Sequence, residues 1–224
     1  HLYQMLAMNA ETGKLRTVVE ERANTFVNYG RLWRQFIKDG KQLLWMSERD
    51  NWNHLYLYDV HKSKVIRQIT KGDWFVRGIQ RVDEEKGEIY FSASGVNKNE
   101  DPYLVHYYKI GIDGKNMVAL TPEEGNHSAQ YTYDYRYLLD TYSKVDAAPV
   151  TVLRDAQTGK LVKTLETADI ATLKKHGWVA PEVFVAKGRD GKTDMWGIIQ
   201  RPTNFDPNKK YPVIEYIYSG PGDA

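Results

Sequence analysis

The sequence predicts an all-β fold, a partial β-propeller of three to four blades that each hold four antiparallel strands. The first observation is a polar turn with a lysine that recurs four times, at residues 14, 64, 115 and 160. The second is a further strand pair that stands before each of the last three turns. Four short strands in about 50 residues are typical of a propeller blade. An all-β sandwich with similar hairpins is the alternative.

The repeated turn has the residues that a tight hairpin needs. Its four copies lie at 8–15, 58–65, 112–117 and 154–161. Asp113-Gly114 and Thr158-Gly159 supply residues that adopt positive φ without strain. An apolar residue follows each lysine by five positions: Val19, Ile69, Leu120 and Leu165. We therefore expect each turn to join two antiparallel strands, with the apolar residue at the same position after the turn in every copy.

The other strand pairs complete the blades. They are predicted at 36–45 with 55–58, at 82–91 with 103–108, and at 133–139 with 150–153. Three blades then cover about 33–72, 74–121 and 126–167, and residues 1–22 end an earlier one. A closed ring needs at least four blades. We therefore expect the chain to be part of a longer protein, with blade edges that favour association with other chains, a second copy included.

The pattern changes after Thr167. A short helix is predicted at 169–177, where Asp stands near the start, two Lys near the end and Gly after them. A hairpin follows (182–187 with 195–200), then a polar loop at 202–210 and an apolar strand at 213–218. These signals place a domain boundary near residue 175, with the late part of the propeller at 1–175.

Composition and charge exclude several function classes. The net charge is +2, with 31 basic and 29 acidic residues intermixed, so no basic stripe marks a nucleic-acid partner. No apolar run approaches the roughly 20 residues of a membrane span. The chain has no cysteine, and its six histidines lack paired ligand spacing. We expect no metal and no cofactor.

Several stretches resemble one family in consistent order along the chain. The run Trp-Met-Ser-Glu-Arg-Asp-Asn-Trp-Asn-His-Leu-Tyr at 45–56 is the most specific, and 70–76 is similar to the start of the next blade. Further matches lie at 195–202, 204–207 and 209–213, and the Tyr-Ser-Gly-Pro turn ends at Pro221. The sequence resembles the dipeptidyl peptidase IV branch of the prolyl oligopeptidase family of serine peptidases.

The resemblance implies a serine exopeptidase that removes dipeptides from peptides with a free N-terminus, often after Pro or Ala. It implies an extracytoplasmic location and a propeller that caps the active site and gates the substrate. Residues 176–224 would be the linker and the first strands of a truncated α/β-hydrolase domain, whose remainder belongs to the same polypeptide. A Gly-x-Ser-x-Gly nucleophile motif is absent from this sequence, so we expect the chain alone to be inactive. A propeller for binding or scaffolding is the alternative.

Tyr218 is the one catalytic residue that the resemblance assigns. The tyrosine of this turn would donate its hydroxyl to the oxyanion of the tetrahedral intermediate, and Gly220 and Pro221 would shape the turn. A phenol suits this role, because it is a neutral donor on a side chain with few torsions. From the residue alone, packing at a strand end is the alternative.

Other conspicuous residues are interpreted as structural. We expect the charges at 48–50 to tie a turn to the next strand, with Trp52 and His54 packed in the same loop. The tyrosines at 131, 133, 135 and 137 alternate with period two, which predicts one face of a strand.

Overall fold

The computed structural model describes residues 1–217 of the chain, Arg31 by its backbone only. The first two strands, β1 (Leu2–Met8) and β2 (Leu15–Arg22), form an antiparallel pair. A short 3-10 segment, Tyr29–Arg31, precedes the first complete blade. The pair is the sheet that the sequence predicted as the end of an earlier blade.

Three four-stranded antiparallel sheets follow, and we name them blade 1, blade 2 and blade 3. Blade 1 holds β3 (Arg34–Ile37), β4 (Gln42–Ser47), β5 (His54–Asp59) and β6 (Lys64–Gln68). Blade 2 holds β7 (Phe75–Asp83), β8 (Glu88–Ser94), β9 (Val105–Gly111) and β10 (Val118–Ala119). Blade 3 holds β11 (Asn126–Tyr131), β12 (Tyr137–Lys144), β13 (Ala147–Asp155) and β14 (Leu161–Thr167). Each sheet keeps its strands in chain order, so the predicted all-β blades are confirmed.

The predicted lysine turns join the last two strands of each blade and the β1–β2 pair. Residues with positive φ stand in all four turns: Gly13 at 69°, Ser63 at 53°, Gly114 at 79° and Gly159 at 73°. A Cβ at Gly159 would lie 2.5 Å from the carbonyl oxygen of Ala119. The turn of blade 3 therefore packs on the end of blade 2, and only glycine fits there.

Apolar clusters join neighbouring blades. The largest lies between blades 1 and 2 and includes Leu44, Leu57, Val76 and Phe91. A second one connects β2 to blade 1 through Val19 and the fully buried indole of Trp45, and a third connects blade 2 to blade 3. Because each blade buries apolar side chains against the next, the blades stabilise one another rather than folding around separate cores.

The tyrosines at 131–137 do not share one strand face, so that prediction was wrong. Tyr131 ends β11, Tyr137 begins β12, and the residues between them form the turn. Tyr135 has a φ of 54°, and its ring stacks on that of Tyr131 with centroids 5.0 Å apart. The turn forms because both the backbone N–H and the side-chain hydroxyl of Thr132 donate to the backbone oxygen of Tyr137. Period-two spacing across a turn mimics a strand.

The described chain divides into two compact units, and the second comprises Ser143–Val150 with Thr167 onward. The predicted helix and hairpin of this unit are present: α1 (Ala171–Lys175), and β15 (Glu182–Lys187) paired with β16 (Asp194–Ile199). The helix is short, and no described helix could span a membrane. The predicted strand at 213–218 is absent over 213–217, because no described strand pairs with it there. The domain boundary near residue 175 stays a prediction.

Candidate functional site

The predicted catalytic residue, Tyr218, lies outside the described residues, together with Gly220 and Pro221. Its role as an oxyanion donor therefore stays a prediction. Within the described part of the chain, the charged motif at 48–50 lies beside a cleft, and this cleft is the candidate site.

The cleft has a volume of about 610 Å³. One wall is the end of β2 with the segment that follows it, residues 21–28 and Leu32. The other wall is the turn between β4 and β5, represented by Glu48, Arg49 and Asn51. The walls mix charges and amides with the half-exposed ring of Phe26. Such a lining suits a ligand with both polar and apolar groups, as a peptide has.

A buried carboxylate, Glu21, organises this cleft. It is 5% exposed and accepts hydrogen bonds from Trp45 Nε1 at 2.6 Å and from Ser47 Oγ at 2.9 Å. It also pairs with a guanidinium N–H of Arg49. Burying a carboxylate is costly unless its oxygens are bonded and its charge is paired. Here both conditions are met, so Glu21 fixes the turn of blade 1 against β2.

Arg49 is held on three sides. Its Nε donates to Ser47 Oγ at 2.8 Å, and its guanidinium lies 4.8 Å from the ring centroid of Tyr56 and 5.5 Å from that of Tyr58. Burial opposes the charge of Arg49, but the hydrogen bond and the charge of Glu21 raise the pKa of the guanidinium. Burial likewise raises the pKa of both tyrosines. The cleft therefore has a fixed positive charge in its wall, beside two neutral phenols.

The residues that were interpreted as structural differ in the parts of the chain that they contact. Asp50 accepts from Gln68 Nε2 at 2.5 Å, which ties the turn to β6, the second strand after it, where the next strand was predicted. Arg49 instead contacts the preceding hairpin through Glu21. His54 is fully buried and lies edge-on to Trp74, with centroids 4.8 Å apart, while Trp52 stays 38% exposed. Glu21 was not predicted as a site residue, although its spacing from Val19 places its carboxylate on the buried side of β2.

No group of three or more potential metal ligands occurs among residues 1–217. The arrangement that is present can bind and orient a ligand through the Arg49 guanidinium and the amides of Asn24, Asn28 and Asn51. It offers no activated nucleophile in the cleft, since a serine, base and orienting acid do not meet there.

Three consecutive four-stranded blades that share apolar clusters define the class of this protein as a β-propeller. The model of the dipeptidyl peptidase IV (DPP IV) N-terminal region matches residues 1–149, well over half of the chain. The chain belongs to this family.

Similar proteins agree with this assignment. Dipeptidyl peptidase 4 of Trichophyton rubrum is 31% identical over 182 residues, which cover 79% of this chain and 23% of the relative. A solved structure of a Bacteroides ovatus protein, provisionally named dipeptidyl aminopeptidase IV, matches with a TM-score of 0.76 and 27% identity. The match covers 94% of this chain and 32% of that one.

The structure of Porphyromonas gingivalis dipeptidyl peptidase 4 has the same fold, with a TM-score of 0.70 and 24% identity. That match covers 93% of this chain and 29% of the other. The chain therefore spans about a quarter of the length of the curated relatives it matches.

The buried carboxylate of the cleft can be tested by Glu21→Gln. The amide keeps the volume but removes the charge that faces Arg49 and turns an N–H₂ group toward the donor of either Trp45 or Ser47. We expect a loss of about 1–3 kcal/mol in the free energy of unfolding, the cost of unmatched buried polar groups. Urea denaturation monitored by tryptophan fluorescence measures it. Glu20→Gln, at the neighbouring exposed position, should leave the midpoint unchanged; equal loss in both variants would contradict the assignment.

Proposed function

We propose that the chain is the late propeller and the entry to the hydrolase domain of a serine dipeptidyl peptidase that removes N-terminal dipeptides, often after Pro or Ala. The observation that carries the proposal is the continuous match to dipeptidyl peptidases along the chain, from the family model at 1–149 to relatives that cover 79% of it. The substrates would be peptides with a free N-terminus.

The cleft supports a part for the propeller in substrate selection. Arg49 is positioned by Glu21, Ser47 and two tyrosine rings, so little conformational entropy is lost when it contacts a ligand. A guanidinium is a good donor to the carbonyl oxygens of an extended peptide. In this proposal the propeller caps the active site, and the cleft contacts part of the peptide while the hydrolase domain performs the chemistry.

The catalytic groups would come from the remainder of the polypeptide. In α/β-hydrolases the nucleophile stands in Gly-x-Ser-x-Gly, on a turn between a strand and a helix, and the acid and the histidine follow it in the chain. The present sequence contains no such motif. The 224-residue chain alone is therefore expected to be inactive.

A comparison of the full-length polypeptide with the 224-residue chain tests the proposal. The full-length polypeptide should release the chromophore from a Xaa-Pro chromogenic dipeptide, and a serine-directed phosphonate should abolish the activity. The same substrate with a blocked amino terminus should not react, and the chain alone should match the blank. Hydrolysis by the chain alone, or none by the full-length polypeptide, would contradict the proposal; the second outcome would favour a binding or scaffolding propeller.

A further inference from the structure

The cleft beside Arg49 lies at one edge of the blades. Neighbouring strands run antiparallel, so the turn between β4 and β5 is at the same edge as the end of a last strand such as β2. Both walls of the cleft belong to this edge. The chain leaves blade 3 at the corresponding edge, where β14 ends. In the proposed function the catalytic groups follow β14 in the chain, so the cleft is on the face of the propeller from which the chain continues toward them.

The two arginines that line the cleft already have carboxylate partners. Arg49 pairs with the buried Glu21, and Nε of Arg22 lies 2.6 Å from Oε1 of Glu20. Each pair is close to neutral, so neither guanidinium offers an unbalanced charge to a ligand. Arg49 can still donate a hydrogen bond to a neutral carbonyl oxygen. An anionic ligand would instead have to compete with the carboxylates that are already in place.

Glu48 is the acidic residue of the wall that has no such partner. Within residues 1–217 its carboxylate takes part in no hydrogen bond or ion pair, whereas that of Asp50 accepts from Gln68. The terminal ammonium nearby donates to the backbone oxygen of Ala23 at 2.7 Å. An amide N–H takes its place in the full-length polypeptide of the proposed function. Glu48 therefore gives the lining residues that the structure describes one uncompensated negative charge.

The rest of the lining suits a basic side chain. Phe26 is 50% exposed, and its ring meets those of His1 and Tyr29 at 66° and 52°, so neither ring stacks flat on it. The face of such a ring attracts a cation. An ammonium or guanidinium group carries only donors, which neutral acceptors can satisfy. Three side-chain amides of the lining supply such acceptors: Asn24, Asn28 and Asn51.

We propose that the cleft binds a lysine or arginine side chain of the peptide substrate, between Glu48 and Phe26. This inference rests on the proposed function and adds a substrate class to it. The Glu48 carboxylate pairs with the cation, the ring of Phe26 covers it, and Arg49 donates to a backbone carbonyl oxygen of the same peptide. These contacts hold the substrate equally before and during the reaction, so the preference appears in KM rather than in kcat.

A set of peptide substrates for the full-length polypeptide tests this preference. Each peptide has a free amino terminus and Pro as its second residue, with lysine or the uncharged norleucine at the first, third or fourth position. An exposed ion pair and an exposed cation–π contact are each worth up to about 5-fold in affinity. At one of these positions lysine should therefore raise kcat/KM by about 5–10-fold over norleucine.

The outcomes separate this inference from the proposed function. If no peptide is cleaved, the proposed function itself is contradicted. If the peptides are cleaved and lysine has no advantage at any position, the proposed function stands and the inference is overturned.

Matched variants assign the preference to the cleft. Glu48→Gln should lower the advantage of lysine by up to about 5-fold, and Glu48→Lys should favour glutamate in its place. Glu85→Gln makes the same change at an exposed position in the turn between β7 and β8, at the opposite edge, and should leave the preference intact. A lysine preference that is unchanged in both Glu48 variants would overturn the inference. So would an equal loss for peptides without a basic side chain, since Glu48 would then contact the amino terminus of the substrate.

Discussion

Tyr218→Phe in the full-length polypeptide is expected to lower kcat by roughly 10²–10³-fold, the usual cost of one lost oxyanion donor. If the Tyr218 hydroxyl donates to the developing oxyanion, the substitution removes one transition-state hydrogen bond and keeps the ring. KM should change little, because the hydrogen bond is made mainly in the transition state. Steady-state kinetics with a Xaa-Pro chromogenic dipeptide measures both constants.

Tyr216→Phe is the matched control for this experiment. Tyr216 stands two residues earlier, and its side chain is 90% exposed in the chain described here. The same loss of a hydroxyl at this position should leave kcat within a few-fold of the parent. Equal damage from both substitutions would mean that the segment itself was disturbed, and the oxyanion role of Tyr218 would then be withdrawn. A Tyr218→Phe enzyme with unchanged kcat would instead favour a packing role.

Asp140→Asn is expected to cost about 3–5 kcal/mol in the free energy of unfolding, the usual result when one partner of a buried ion pair is removed. The Asp140 carboxylate is fully buried between His127 and Arg154, each 2.8 Å away. Asparagine has almost the same shape, but it is neutral and turns an N–H₂ group toward one of these two side chains. The buried Arg154 then loses a counter-charge. Urea denaturation at fixed pH measures the loss.

Asp134→Asn controls for the chemistry of the substitution. Asp134 lies in the turn before β12, its side chain is 53% exposed, and its carboxylate is 3.9 Å from the guanidinium of Arg136. Solvent screens such a pair, so the variant should unfold at the same urea concentration as the parent. A small effect at Asp140, similar to that at Asp134, would show that the buried network contributes little to stability.

Turn chemistry explains why so much of the fold could be predicted. Asp-Gly and Thr-Gly sequences specify hairpins locally, and the four lysine turns stand where they were expected. The same local reasoning failed at 131–137, where alternating tyrosines continue through a turn closed by Thr132. It also failed at 213–217, because a strand forms only where a neighbouring strand bonds it.

The candidate site was less accessible to sequence reasoning. The charges at 48–50 were noticed as a cluster, but the partner of Arg49 is Glu21, which lies 28 residues earlier in another hairpin. The cleft beside this pair depends on how β2 packs against blade 1, and no short motif encodes a contact between residues so far apart in the chain.

By itself the sequence determined the number of strands in each blade, the places of the hairpins and the family to which the chain belongs. The strands and hairpins follow from residues close together in the chain, where turn propensity and alternation act directly, and the family follows from the resemblance of several sequence stretches. Only the tertiary structure decided which buried charges meet, as Glu21 meets Arg49 and Asp140 meets Arg154. The physical reason is that an ion pair depends on strand register and blade packing, and an error of one residue in register turns a side chain to the other face.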